Sequence, residues 1–325
     1  VAEVQQQLHL ITTKGAQAMT EKLDVYSRVT DKIIADIERG NLTWLQPWQA
    51  GGHKAGAVSR PLRAGGIPYR GVNVLMLWAS AIEKGYNCPL WLTYKQAAEL
   101  GGQVRRGEKG SLVVYANTFT KTGTDEQGAE VETEIPFMKG YTVFNAEQID
   151  GLPAHFYATV APFDNDIARL ESAERFFAAT KATIQHGGTR AFYSPDRDIV
   201  QMSELPTFRD AESYYATLAH EMTHWTRHSS RLDRDLGRKR FADAGYAMEE
   251  LVAEIGAAFL CADLSITPET RDDHAAYIAS WLQVLKNDKR AIFTAASHAQ
   301  KAADYLHGLQ PQTEAATADD MREAA

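Results

Sequence analysis

Cysteine is almost missing from this chain: Cys88 and Cys261 are the only two among 325 residues. They lie far apart and make no disulfide framework, so a reducing compartment is expected. Without a CxxC pair there is no structural zinc site of the finger type. Long hydrophobic runs are missing too. No stretch approaches the roughly 18 apolar residues needed to span a bilayer, and the start has no basic segment leading into a signal-peptide core. These absences predict a cytoplasmic protein with no membrane partner. Met19 lies inside the chain, so the residues before it read as either a non-native leader or a loose start. Internal repeats are lacking. What is present is 44% apolar residues, ample for a core and, at this length, for two domains.

The most informative stretch is His220-Glu221-Met222-Thr223-His224, an HExxH pentapeptide inside a segment that reads as one helix from Asp210 to about Thr226. Two histidines four apart share a helical face one turn apart, so both imidazoles can reach one cation at about 2.0–2.1 Å. Glu221 flanks that cation without ligating it and can take a proton from an attacking water. The pattern points to a zinc hydrolase, and among hydrolases to a peptidase. The bland alternative is a pair of partly solvated helix histidines.

A second helix, expected from about Tyr246 to Leu264, weighs against the bland reading. Leu251, Ile255, Ala258 and Ala262 form its apolar stripe, and Glu250 and Glu254 share another face. Gly256 costs about 1 kcal/mol relative to Ala in a helix interior, which close approach of another helix would explain. A carboxylate here can be the third protein ligand, leaving the fourth position for water. Glu254 is the expected ligand, because Leu251, Ala258 and Cys261 beside it should be partly buried. Glu250 would then orient a histidine; the two roles are interchangeable on sequence alone. Zinc is the expected metal, with manganese or another divalent ion possible at such a donor set.

Charge is uneven. Residues 1–150 hold 16 Lys and Arg against 16 Asp and Glu, and the remainder 18 against 26, so the whole formal charge of -8 lies in the second half. Residues 51–115 carry nine basic and three acidic residues, interleaved with Tyr69, Trp78, Trp91, Tyr94 and Tyr115. Cations that follow phosphates, set among rings that stack on bases, are what single-strand binding requires. The competing reading is that most of these rings are core, as Trp78 must be in its apolar run.

The coarse pattern is α+β. Apolar spacing predicts a helix from Asp24 to Gly40, another around Asn73 to Lys84, and a short one from Thr93 broken by Gly101-Gly102. Arg105-Arg106-Gly107-Glu108-Lys109-Gly110 reads as a turn. Ser111–Thr118 and Lys139–Asn145 read as strands, and the polar segment 121–134 between them as a loop or hairpin excursion. A domain junction is placed at 153–166. Beyond it, residues 167–183 read as helix, Arg190–Tyr193 and Asp198–Met202 as a strand pair beside the HExxH helix, and Asp273–Leu285 and Ala291–Leu306 as further helices. From residue 309 a mobile tail is expected.

Several motifs in order carry a family resemblance: Val29-Thr30-Asp31-Lys32-Ile33-Ile34, Pro68-Tyr69-Arg70-Gly71-Val72-Asn73, Trp91-Leu92-Thr93-Tyr94-Lys95-Gln96-Ala97, Val143-Phe144-Asn145-Ala146-Glu147-Gln148 and His220-Glu221-Met222-Thr223-His224-Trp225-Thr226. Through them the chain resembles ArdC-family antirestriction proteins, and is similar to the amino-terminal region of plasmid TraC-type primases. The resemblance implies a single-stranded-DNA-binding domain at 21–152, a linker at 153–166, a mostly helical zincin-like metallopeptidase domain with a small sheet at 167–308, and a tail at 309–325. It further implies a plasmid-type protein of the bacterial cytoplasm that protects incoming DNA from host restriction, either by binding the DNA or by proteolysis of DNA-bound or restriction proteins. By residue it implies His220 and His224 as metal ligands, Glu221 as base and Glu254 as the downstream glutamate ligand, with Glu250 the alternative. Tyr246, His274 and Tyr277 are candidates to stabilise an oxyanion. Arg70, Lys95, Arg105, Arg106, Lys109, Tyr69 and Tyr94 are the candidate DNA contacts; the protein or peptide substrate stays open.

Overall fold

Val25, Val29, Ile33, Ile34 and Ile37 recur at helical spacing, and residues 25–38 form helix α1 with that face buried. The structure, a computed structural model, describes residues 25–40, 59–124, 130–158, 166–237, 244–266 and 275–311. Strand β1 (Leu62–Arg63), helix α2 (Val72–Lys84), strand β2 (Leu90–Leu92), helix α3 (Tyr94–Glu99) and strand β3 (Gln103–Val104) follow α1. Strands β4 (Ser111–Thr124) and β5 (Glu130–Asn145) then make a long hairpin, and β6 (Ile149–Asp150) pairs with β3. The main sheet has the order β1-β2-β5-β4. Helix α3 starts where it does because Thr93 caps it: its hydroxyl accepts from the Gln96 N–H while the Gln96 side chain reaches back.

Of the two readings of segment 121–134, loop or hairpin excursion, the hairpin holds: 121–124 and 130–134 are strand. Register runs unbroken from Ser111 opposite Val143 to Thr124 opposite Glu130, so 121–124 and 130–134 are the outer part of one hairpin arm. Its β-branched residues, Thr118, Thr120, Thr122 and Thr133, favour extended backbone despite the polarity that reads as a loop.

Helix α4 (Asp166–Ala179) ends earlier than expected. Lys181 takes φ 57°, and Thr183–His186 form strand β7 instead of a last helical turn. Strands β8 (Phe192–Ser194) and β9 (Ile199–Met202) complete a sheet of order β7-β9-β8, with β7 parallel and β8 antiparallel to β9. Helices α5 (Ala211–Trp225), α6 (Ala244–Asp263), α7 (Ala275–Asn287) and α8 (Ala291–Gly308) follow. The chain is thus α+β, with an amino-terminal half built on a sheet and a mostly helical carboxy-terminal half. Among the described residues no helix is long and apolar enough to cross a membrane.

Helix α6 is the axis of the core. Its Leu251, Val252, Ile255, Phe259 and Leu260 are fully buried, and it is apolar nearly all round, as a central helix must be. One continuous cluster joins it to Val29 and Ile33 of α1, to Leu75, Leu77 and Trp78 of α2, and to the α8 alanines. Trp78 meets Phe259 edge-on at 6.0 Å, and Tyr26 meets Phe293 at 4.6 Å. The core therefore crosses the expected junction. The described part of that junction, a 3-10 turn at Ala154–Tyr157, packs through Phe156 on a smaller cluster with Cys88, Leu92, Ala97, Ile149 and Leu152.

Arg60 fastens the halves together. It is 7% exposed, gives Asp263 at the end of α6 a two-pronged hydrogen bond at 2.9 Å and 2.9 Å, donates to Gln300 at 3.0 Å and lies over the Phe259 ring at 4.1 Å. Removing one partner of a buried ion pair costs about 3–5 kcal/mol, whereas an exposed pair contributes about 0–1. Arg60→Ala should therefore lower the urea midpoint far more than Arg70→Ala, which breaks only the exposed pair between Arg70 and Asp304. Equal shifts in denaturation followed by tryptophan fluorescence would refute the latch.

Candidate metal centre

Helix α5 begins at Asp210, whose side chain accepts from the Ser213 N–H at 2.7 Å. Ten of its fifteen residues are buried, including Ala219 through Thr223, so the pentapeptide sits inside the molecule. His220 and Glu221 are 8% and 7% exposed, and the two imidazole rings lie 4.8 Å apart at 79°.

Helix α6 crosses beside them at a close approach that Gly256 permits. A Cβ there would meet Thr223 Cγ2 at 2.5 Å and Oγ1 at 2.7 Å. Thr223 cannot turn away, since it is β-branched and fully buried and its hydroxyl donates to the Ala219 carbonyl at 2.8 Å. The sequence expectation that Gly256 marks a helix contact holds.

Of the two α6 carboxylates left interchangeable by the sequence, Glu250, the alternative to the favoured Glu254, is the one turned toward both histidines. Glu250 faces the Nε2 atoms of both histidines, with its oxygens 3.6 Å from His220 and 3.7 Å from His224. Among the described residues, His220, His224 and Glu250 are the group whose donor atoms all lie within 4.8 Å of one another. Glu254 instead lies behind His220, with Oε1 at 3.3 Å from Nδ1, within ion-pair range though not aligned as a hydrogen bond. The reason is helical geometry. Glu250 and Glu254 are one turn apart along α6, and only the earlier one reaches the gap between the histidines.

Glu249, which the sequence reading missed, holds the other histidine. His224 Nδ1 donates to it at 3.0 Å, and Arg234 grips it with two bonds at 2.8 Å and 2.9 Å. Arg234, 4% exposed, also donates to the Thr223 carbonyl and the Thr226 hydroxyl, tying α6 to the end of α5. The available signal was the doubled acid Glu249-Glu250, since adjacent helix positions point about 100° apart and can serve two atoms of one imidazole.

Electrostatics agree with a site for a dication. Burial works against charge on both imidazoles, yet Glu254 and Glu250 around His220, and Glu249 and Glu250 around His224, outweigh it. They push His220 well above its ordinary value and His224 up to about 9. Glu249, despite burial, is held down to about 2 by Arg234 and His224, and Glu250 is held well below the carboxylate range by the two histidines. Bonds of about 2.0–2.1 Å at tetrahedral angles put ligand atoms about 3.3 Å apart. The Glu250 separations are within a few tenths of an ångström of that, so the donors fit a divalent ion.

These residues line a cavity of about 620 Å³ together with Glu221, the β8 region, Tyr246 and Tyr277. Their hydroxyls are 3.2 Å apart, and burial followed by the bond to Tyr277 raises the Tyr246 phenol well above its ordinary value. His274 lies outside the described residues. His186 bonds Tyr214 at 2.8 Å and His228 bonds Ser230 at 2.8 Å.

The basic window is only partly at the surface. Tyr69 is 7% exposed with Arg63 over its ring, so the expected stacking role fails, and Trp78, Trp91 and Arg60 are likewise buried. Arg70 is paired with Asp304, and Lys95 with Glu99 at 3.6 Å. Tyr94 is 54% exposed and lines a groove of about 610 Å³ with Gln103, Arg105, Arg106 and Phe144. Arg105 pairs with Glu108 and Asp150 on the groove wall, while Arg106 and Lys109 are exposed. Tyr115 and Tyr141, meeting edge-on at 6.3 Å, add a second exposed aromatic surface on the hairpin arm.

Glu250→Ala should weaken metal uptake more than Glu254→Ala or Glu249→Ala, since losing a group that merely orients a ligand typically costs roughly 10–100-fold. Gly256→Ala should also lose affinity, because overpacking costs about 1–3 kcal/mol and outweighs the helix propensity gained. Metal titration of the four variants checks both; a Glu254→Ala loss larger than that of Glu250→Ala would restore the original order.

Residues 23–144 match the N-terminal domain of anti-restriction factor ArdC, and residues 171–298 match the zincin-like metallopeptidase family. The crystal structure of antirestriction ArdC from the R388 plasmid, metal-free, is 51% identical with a TM-score of 0.73, covering 88% of this chain and 97% of that one. Its Mn(II)-bound form gives 49%, 0.70, 87% and 97%. Uncharacterized protein y4eC of Sinorhizobium fredii is 46% identical over 88% of this chain and 92% of its own length. DNA primase TraC of Escherichia coli is 39% identical over 88% of this chain, which spans only 27% of that primase. With the fold, both family matches and near-complete coverage of ArdC in agreement, the chain belongs to the ArdC family of antirestriction proteins.

Proposed function

We propose that this protein is a divalent-metal-dependent peptidase that also binds single-stranded DNA, and that it protects incoming plasmid DNA from host restriction. The observation that carries the reading is the convergence of His220, His224 and Glu250 on one point of a cavity that Glu221 shares. His220 Nε2, His224 Nε2 and Glu250 would hold the ion. Zinc suits two imidazoles and a carboxylate, and the Mn(II)-bound relative supports manganese as the alternative. Bound there, the ion supplies Lewis acidity toward a peptide carbonyl.

The chain's own groups supply the rest. Glu221 takes a proton from the attacking water as the new C–O bond forms, and returns it to the amine nitrogen as the C–N bond breaks. Tyr246, which keeps its proton, donates toward the tetrahedral oxyanion. Glu254 and the pair Glu249 with Arg234 fix the two rings. Among the described residues strand β8 pairs only with β9, so an extended substrate can lie along its other edge.

For DNA the reading rests on the Tyr94 groove, with Arg105, Arg106 and Lys109 as phosphate contacts and Lys95 beside Tyr94 on α3; Arg70, paired with Asp304, is a further candidate away from that lining. The primase relatives support this reading. Each phosphate neutralised on a single strand contributes about -0.7 to the slope of log affinity against log salt. Arg105→Ala with Arg106→Ala should weaken oligonucleotide binding and flatten that slope by about one unit or more. An unchanged slope would move the DNA elsewhere.

Masking strands needs stoichiometric binding and no turnover, so protection should follow the DNA surface and not the base. In transformation of a restricting host, Glu221→Gln should protect as well as the parent, and the Arg105 and Arg106 double variant should fail. Loss of protection in Glu221→Gln with oligonucleotide affinity intact would establish the second reading, protection through proteolysis of a DNA-bound or restriction protein.

A further inference from the structure

Four arginines lie on or next to the walls of the metal cavity, and two of them are fully engaged. Arg231 bonds Asp198 and the Tyr193 hydroxyl and stacks on Trp225 at 3.8 Å. Arg234 is taken up by Glu249, Thr223 and Thr226. Arg190 and Arg227 differ. Both line the cavity beside Glu221 and His224, and among the described residues the side chain of neither has an ion pair or hydrogen bond. Arg227 follows α5 directly, its N–H bonded to the His224 carbonyl at 2.9 Å, and is half-buried; Arg190 precedes edge strand β8 and is exposed. Two of the cavity's three carboxylates, Glu250 and Glu254, are turned to the histidines.

A guanidinium in a partly closed cleft is completed by a carboxylate that meets its planar fork with two bonds. We propose, on top of the peptidase reading, that the cleft selects peptides with Asp or Glu close to the scissile bond. Arg227 holds that carboxylate, and Arg190 favours a second acidic residue farther along β8. A nucleic-acid strand fits less well. Its charge is continuous, so it would lay phosphates over Glu221, Glu250 and Glu254, whereas a peptide can carry one carboxylate to Arg227 and neutral groups elsewhere.

The test uses full-length Glu221→Gln protein supplied with zinc, which keeps the cleft but spares the probe. Fluorescein-labelled ten-residue peptides carry Glu, Gln or Lys at each position in turn, and binding is read by anisotropy. At one position at least, Glu should bind about tenfold tighter than Gln, the scale of a charge-assisted hydrogen bond. Adding Arg227→Gln should bring Glu and Gln within about twofold, Arg227→Lys should restore part of the preference, and Arg227→Glu should shift it to the Lys peptides. Thermal melts show whether each variant is folded. Equal affinity for Glu and Gln peptides throughout, or a preference indifferent to Arg227, overturns the proposal. So does Arg227-dependent displacement of the peptide by unlabelled oligo-dT, which would give these cations to DNA. Incubating the parent protein with the same peptides separates the two claims. Acid-selective binding without cleavage refutes hydrolysis and keeps the selectivity, while cleavage indifferent to charge does the reverse.

Discussion

The approach of α5 to α6 at Thr223 and Gly256 is the constraint on which the candidate metal centre depends. Two histidines on one helix can face a carboxylate on another only if the axes come close, and here a single methyl group would prevent it. The pentapeptide therefore carries structural information between its histidines: Thr223 is the surface against which the second helix rests. Arg234 then locks the crossing by spanning from the end of α5 to Glu249 on α6. Its guanidinium meets helix-terminal carbonyl charge at one end and a carboxylate at the other, so its burial is matched on both sides.

The same clamp explains the charge balance of the site. Glu221, Glu249, Glu250 and Glu254 are all buried; Arg234 is bonded to Glu249, and the two histidines face Glu250. Carboxylates buried this close together are unfavourable unless positive charge, whether protons on the imidazoles or a divalent ion, balances them. The raised His220 and His224 are the proton version of that balance, and an ion between their Nε2 atoms is the other.

Much of this was legible beforehand, because it lies in short-range spacing. The four-residue interval of the histidines, the glycine in a helix interior and the four-residue interval of the acids each fix geometry within one helix. What was not legible depends on how one helix is rotated against another. Spacing favours Glu254 as the ligand but leaves its role interchangeable with that of Glu250; the rotation of α6 turns Glu250 toward the gap and Glu254 toward His220 Nδ1. Arg234, in a stretch without regular structure, gave no periodic signal at all. The aromatic and basic window misled for a similar reason. Tyr69 and Arg60 look like Tyr94 and Arg106 in a list of residue types, and only the placement of α2 and α6 sends the first pair into the core.

That placement also decides how far the two proposed activities can be altered separately. The metal helices belong to the large cluster, which takes in α1, α2 and α8 from both halves of the chain. The Tyr94 groove is built instead on the small cluster of Cys88, Leu92, Ala97 and Ile149, with Val104 and Phe144 packed against it. Separation thus follows the division between the two cores more closely than a cut at residues 153–166. Arg60 and Asp263 hang the end of α6 on the amino-terminal half. A change in the groove leaves that latch untouched, whereas removing the amino-terminal half strips the metal helix of part of its packing and of its partner at Asp263. The two surfaces can be altered one at a time by point substitution, but the halves that carry them are held by one core.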